Sequence, residues 1–166
     1  MKFGVAKRYP YFLYINIGTG IRVVGSDSGK LIRGLSNLAG EISQDTNWVG
    51  EINKYLTTDF LPSGQGISAL SQEIYGKVIS AEKAFKNKDR KLIALFTKYL
   101  AKVVSRACYF YNPEAIIFAG SLVLSSKQWL REFKKAYYEN CHPLFVTKKI
   151  YISKLKHPAS LGALLD

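Results

Sequence analysis

Residues 14–42 read YINIGTGIRVVGSDSGKLIRGLSNLAGEI, and this opening constrains the fold more than any other stretch. Residues 11–17 form a run rich in β-branched and aromatic side chains. Gly18-Thr19-Gly20 interrupts it. Residues 21–25 form a second run, with Val23 and Val24 adjacent. SDSG at 26–29 has the composition of a tight turn, and 30–34 form a third run. Three β runs joined by glycine turns predict an antiparallel meander, so the core must be laid on a sheet.

The rest of the chain alternates. Residues 35–65 show no clear period, and DFLPSGQG at 59–66 reads as a loop. Leu70, Ile74, Val78 and Ile79 share one side of a helix expected over 68–80. Asp89 opens a long helix in which Leu92, Phe96, Tyr99, Leu100, Val103, Val104 and Cys108 recur at three- and four-residue spacing. Asn112-Pro113 ends it, because proline disfavours helix in the residue before it. EAIIFAG, 114–120, suits a central strand buried on both faces. Ser125 or Ser126 N-caps a helix running to about Asn140. KIYIS, 149–153, is a last strand, and PASLGALLD, 158–166, starts a final helix with Pro158 in its first turn.

This order, βββ, helices, β, α, β, α, predicts an α/β fold of the ribonuclease H-like type, with three layers (α/β/α) in a single domain over 1–166. A chain of 166 residues with a hydrophobic fraction of 48% can bury one such core. No apolar run approaches the roughly 18 residues of a membrane span. MKFGVAKRYPY has no apolar segment ahead of a small-residue cleavage site, so a cytoplasmic protein without membrane contact is expected. Cys108 and Cys141 form no metal-spacing pair and no disulfide framework, and Cys108 belongs to the apolar helix face. Formal net charge is +12. The lysines spread over KAFKNKDRK, REFKK and VTKKIYISKLK, which read as solvated faces; a basic nucleic-acid-binding patch is the competing reading.

Folds of this order serve as nucleases or as lobes of ATP-dependent sugar kinases and actin-like ATPases. A two-metal nuclease needs clustered carboxylates, one of them on the first strand. YPYFLYINI carries none, and the whole chain has 12 acidic residues. A phosphate site accounts better for the glycines: a hairpin tip without Cβ atoms lets backbone N–H groups converge on an anion, and Thr19 adds a hydroxyl. FAGS, 118–121, follows the buried strand directly, where ligands of open α/β sheets gather. Each element alone also fits a plain turn.

Together, YINIGTGIRVVGSDSGKLIRGLSNLAGEI, NPEAIIFAGSLVLSS and PASLGALLD resemble the ROK family, which includes bacterial glucokinases, fructokinases, N-acetylmannosamine kinases and sugar-responsive repressors. The resemblance covers nearly the whole chain, as the C-terminal lobe of such a protein. It implies ATP with Mg as cofactor, Gly18, Thr19 and Gly20 beside the nucleotide phosphates, and Gly120 and Ser121 beside the adenosine. It implies that Glu41 binds sugar hydroxyls, as a carboxylate can by accepting two hydrogen bonds.

The departures matter equally. Ser43-Gln44 stands where the family has its Gly-His. LPSGQGISALSQE has no cysteine where the family has its zinc loop, so no zinc is expected. Ala69 stands nearest to the family's second sugar-binding Glu, with Glu73 a helical turn later. Arg22 replaces a glycine after the Gly-Thr-Gly turn. The family's catalytic Asp precedes the first strand, and MKFGVAKRYPY has neither Asp nor Glu, so no catalytic residue and no N-terminal lobe are expected in this chain. Four readings follow: a truncated sugar kinase inactive alone, a lobe that pairs with a separately encoded N-terminal lobe, a sugar- or nucleotide-sensing module related to the repressors, and a basic nucleic-acid binder. Apolar surface left by a missing lobe implies self-association, with the 11 tyrosines and two tryptophans as candidates for it.

Overall fold

The computed structural model describes residues 4–125 and 129–155. Strands β1 (Phe12–Ile17) and β2 (Ile21–Asp27) pair as an antiparallel hairpin, from Phe12 opposite Ser26 to Ile17 opposite Ile21. Strand β3 (Lys30–Leu31) pairs with the far end of β2 and is shorter than expected. Two further antiparallel strands, β4 (Thr46–Val49) and β5 (Lys54–Thr57), form a separate hairpin. Helices α1 (Gly64–Tyr75), α2 (Ala81–Lys86) and α3 (Arg90–Tyr111) lead to strand β6 (Ala115–Ala119). Helices α4 (Ser121–Ser125) and α5 (Trp129–Asn140) precede strand β7 (Lys149–Ile152). The main sheet has the order β3-β2-β1-β6-β7, with β1, β6 and β7 parallel. This is the mixed α/β arrangement of the ribonuclease H-like lobe. It puts the Gly-Thr-Gly turn and the end of β6 side by side at one edge of the sheet.

One sheet face carries the main core. Leu13, Ile15, Ile17, Ile116 and Phe118 pack under Leu92, Phe96 and Leu100 of α3 and Trp129 and Phe133 of α5. Edge-on aromatic contacts lock this layer, with ring centroids 5.3 Å apart for Phe118–Trp129 and 5.0 Å for Phe118–Phe133. Such pairs contribute about 0.5–1.5 kcal/mol each beyond burial. Asp89 caps α3 by accepting the Leu92 N–H at 3.0 Å, and Asn112 closes it in the left-handed conformation (φ 41°) before Pro113. Strand β6 is buried along its whole length. Cys108 is fully buried in this core.

On the opposite face Phe12, Ala115 and Ile117 are covered by Ala6 of a short 3₁₀ turn, Val5–Arg8, with Tyr9, Tyr14 and Tyr151 around them. The expected final helix over 158–166 lies outside the described residues, as does Ser126. Ser125 ends α4 and does not open the longer helix. Of the two tryptophans offered as surface residues, Trp48 is exposed, but Trp129 lies at the centre of the core. Helix α1 begins four residues earlier than the period suggests, and β4 and β5 occupy a region that showed no period at all.

Candidate functional site

The Gly-Thr-Gly turn docks on the first turn of α1. Gly64 N–H donates to Gly18 O at 2.8 Å and Gln65 N–H to Thr19 O at 3.1 Å. Ser63 is the N-cap, and its hydroxyl accepts the Gly66 N–H at 3.0 Å. The hairpin tip and the cap thus satisfy three of the donors that a helix start leaves without partners. Gly18 N–H is also used, donating to Gly20 O at 3.0 Å. Among the described residues, the N–H groups of Thr19 and Gly20 meet no acceptor.

A cleft of about 470 Å³ opens at this junction. Gly18, Thr19 and Ser121 line it, as expected for a nucleotide site, together with Gln65, Ser68 and Ser80. Glu82 is the one carboxylate lining it among the described residues. Two expected residues act from behind. Gly120 has φ +104°, and a Cβ there would sit 2.6 Å from the Ile17 carbonyl carbon, so glycine is required for β6 to turn beside β1. Gly20 packs against the Asp59 carboxylate.

Asp59 escaped the sequence reading. Its Oδ1 accepts the Ile21 N–H at 3.1 Å, its carbonyl accepts the Ser63 hydroxyl at 2.7 Å, and its own N–H donates to Ser43 O at 3.2 Å. One residue braces the hairpin tip, the α1 cap and the loop that carries Glu41. No local pattern singles it out, since residues 35–65 also carry Glu41, Asp45 and Glu51. Gln65 was missed because DFLPSGQG reads as a loop, although Ser63, directly before the helix, is a cap residue; Ser68 and Ser80 stood at the two ends of the expected helix with nothing local to mark them.

Glu41 does not line this cleft. It borders a second hollow of about 620 Å³ between β2, α3 and the loop that follows β3. Its Oε1 accepts the Ser43 N–H at 3.2 Å, and its Oε2 forms an ion pair with Arg22. Arg106 and Asp45 form another ion pair on the same wall. Glu73 pairs with Lys54 of β5 at 2.8 Å on the surface, and Ala69 is half-buried on α1. Among the described residues, no group of three or more His, Cys, Asp or Glu side chains is placed to hold a metal ion. No helix among them is long and apolar enough to cross a membrane.

Solved structures share this architecture. A ROK hexokinase from Thermus thermophilus superposes with a TM-score of 0.77 at 16% identity, over 96% of this chain and 57% of that one. A ROK family transcriptional regulator homologous to the E. coli MLC protein gives 0.74 at 18%, over 96% and 46%. A ROK family glucokinase from Streptomyces griseus, in complex with glucose and AMPPNP, gives 0.70 at 14%, over 92% and 58%. At these identities the likeness is one of fold, and the chain spans less than two thirds of each of these proteins. No curated protein matches the sequence. The sequence profile described as "ROK family" matches residues 1–164, and the chain accordingly belongs to the ROK family.

Proposed function

We propose that this chain is the C-terminal, nucleotide- and sugar-binding lobe of a ROK sugar kinase, whose reaction is ATP-dependent phosphorylation of a hexose or N-acetylhexosamine. The observation that carries this reading is the single cleft holding Gly18, Thr19 and Ser121, with two backbone N–H groups at the hairpin tip that have no acceptor among the described residues. Converging N–H donors with a hydroxyl beside them suit phosphate oxygens. Magnesium bound through ATP phosphates needs few protein oxygens, and Glu82 is the carboxylate on this wall. Gly20 and Gly120 shape the turn without lining it. The S. griseus glucokinase of the same fold was solved with glucose and AMPPNP.

Turnover needs a base to take the proton of the attacking sugar hydroxyl. Residues 1–11 offer no carboxylate for that role. We read the chain as the lobe that binds nucleotide, in the cytoplasm where ATP is available. Leu38 and Phe110, exposed at the rim of the second hollow, support self-association as a dimer; a monomer by light scattering at working concentration would count against it. A second reading, a sugar- or nucleotide-sensing module, draws on the regulator of the same fold.

Calorimetric titration of ATP–Mg and ADP into the purified chain, with and without glucose and N-acetylmannosamine, tests the proposal. Micromolar nucleotide binding is the expected result. No heat from either nucleotide, with the protein folded by circular dichroism, would overturn it.

A further inference from the structure

We propose that the open edge of β7 takes an extended acidic segment of a partner protein as an added strand. This surface lies apart from the nucleotide cleft and does not depend on the lobe reading.

Strand β7 ends the main sheet, with β6 as its neighbour on one side only. Tyr151 lies opposite Ile117, and Ser153 N–H donates to Phe118 O at 2.7 Å. In a parallel pair, alternate residues turn both backbone groups towards the same neighbour, so Tyr151 and Ser153 face β6. The N–H and C=O groups of Ile150 and Ile152 therefore point away from the sheet, and no described residue bonds to them. The strand is held in place from both faces. Ile150 and Ile152 pack on the main core, while the Tyr151 hydroxyl meets that of Tyr9 at 2.6 Å on the opposite face. An edge ordered in advance spares its ligand part of the entropic cost of docking.

The charge around this edge is one-sided. Lys148 and Lys149 stand at the start of the strand and Lys154 beyond its end. Arg8 directly precedes Tyr9, whose ring centroid is 4.8 Å from Lys149 Nζ. All four cations are exposed, and none forms an ion pair among the described residues. Glu114, directly before β6, stands one strand inward and pairs with none of them.

These charges choose the occupant. A second copy of this chain would bring lysine against lysine, the device by which natural sheets keep their edges from joining. A nucleic-acid backbone offers phosphate acceptors but no donors for the two outward carbonyls. An extended peptide offers donors and acceptors at the repeat of a strand, and its carboxylates would meet the cations. The four residues of β7 span about 13 Å, with cations at both ends. The matching ligand is thus a short β-forming run with acidic residues on both flanks.

Hydrogen exchange read by NMR on the full chain tests this. The probe is a capped peptide in which Val-Thr-Val-Thr is flanked by two glutamates on each side, and a control peptide carries lysines in their place. In the free protein the Ile150 and Ile152 amides should exchange about tenfold or more faster than the Tyr151 amide, which is bonded to β6. At about 1 mM the glutamate peptide should slow Ile150 and Ile152 about tenfold, and the lysine peptide should not. Lys148→Glu combined with Lys154→Glu should erase that preference; both side chains are exposed, and circular dichroism checks the fold. Ile150 and Ile152 amides as slow as Tyr151 in the free protein would mean that the chain covers its own edge, and would overturn the proposal. It is overturned equally if the glutamate peptide leaves these amides unprotected, if both peptides protect them alike, or if the preference survives the double substitution. None of these outcomes bears on ATP–Mg binding, so the lobe reading stands or falls separately.

Discussion

Asp59 accepts a hydrogen bond from the backbone of Ile21 at 3.1 Å across 38 residues of chain, and through it the glycine turn is held against the start of α1. Replacing Asp59 with Ala removes the acceptor and leaves the Ile21 N–H without a partner in a part-buried setting. We expect a loss of about 1.5–3 kcal/mol in chemical denaturation, the range for a hydrogen bond to a charged group. Nucleotide affinity should fall with it, since the turn loses its brace. Asp59→Asn keeps an acceptor oxygen and should restore most of both. Equal loss in the two variants would show that charge, not the acceptor, matters.

Ser63→Ala should cost about 1–2 kcal/mol of stability. Its hydroxyl accepts the Gly66 N–H at 3.0 Å and donates to Asp59 O at 2.7 Å, and the residue is fully buried. The same first turn of α1 anchors Gly18 and Thr19, so calorimetry should also register weaker ATP binding. A variant that is destabilised but binds nucleotide normally would separate the cap from the cleft.

Gly120→Ala combines a positive φ of 104° with a Cβ placed 2.6 Å from the Ile17 carbonyl carbon. Backbone strain of this kind costs on the order of 1–3 kcal/mol before the overlap is counted. We expect poor soluble yield or a melting temperature lowered by several degrees. Wild-type stability would mean that the end of β6 can move away from β1.

Alkaline pH should weaken the fold. Burial pushes the Cys108 thiol up to about 11, from an ordinary value near 9.0, partly offset by the Tyr137 hydroxyl. Burial, with Glu51 beside it, pushes the Tyr99 hydroxyl up to about 12, from 10.0. Both groups are raised in the folded state, so the unfolded chain gives up these protons first. Their contribution is complete below about pH 9 and is lost as pH climbs through 9–12. Denaturation midpoints at pH 8 and pH 10.5 should fall in that order, and Cys108→Ala should flatten the decline. An unchanged slope in Cys108→Ala would assign the effect to the tyrosines.

Much of the fold follows from local patterns. The β1–β2 hairpin, the Asp89 cap with its long apolar stripe, the Asn112-Pro113 stop and the all-apolar strand AIIFA each depend on residues a few positions apart. The β4–β5 hairpin was illegible because its alternation runs against type: Asn47 is buried and bonds to Thr58 at 3.0 Å, while Trp48 points outward against Tyr55. A polar residue inside and an aromatic outside cancel the hydrophobic signal. The start of α1 was hidden by Gly64 and Gly66, poor helix formers that are there because the turn at Gly18 and the chain at Phe60 press against them.

The same division runs through the site. Glycine turns at strand ends, and the residue types beside them, announce a phosphate site because backbone geometry is a local property. Which groups complete that site is a matter of long-range packing. Asp59 behind Gly20, Gln65 and Ser80 across from Thr19, and Arg22 on Glu41 lie 15 or more positions apart in the chain. No spacing rule reaches so far. Burial of the sheet under α3 and α5 brings those partners together, and so decides whether Glu41 meets a ligand as a free carboxylate or as half of an ion pair.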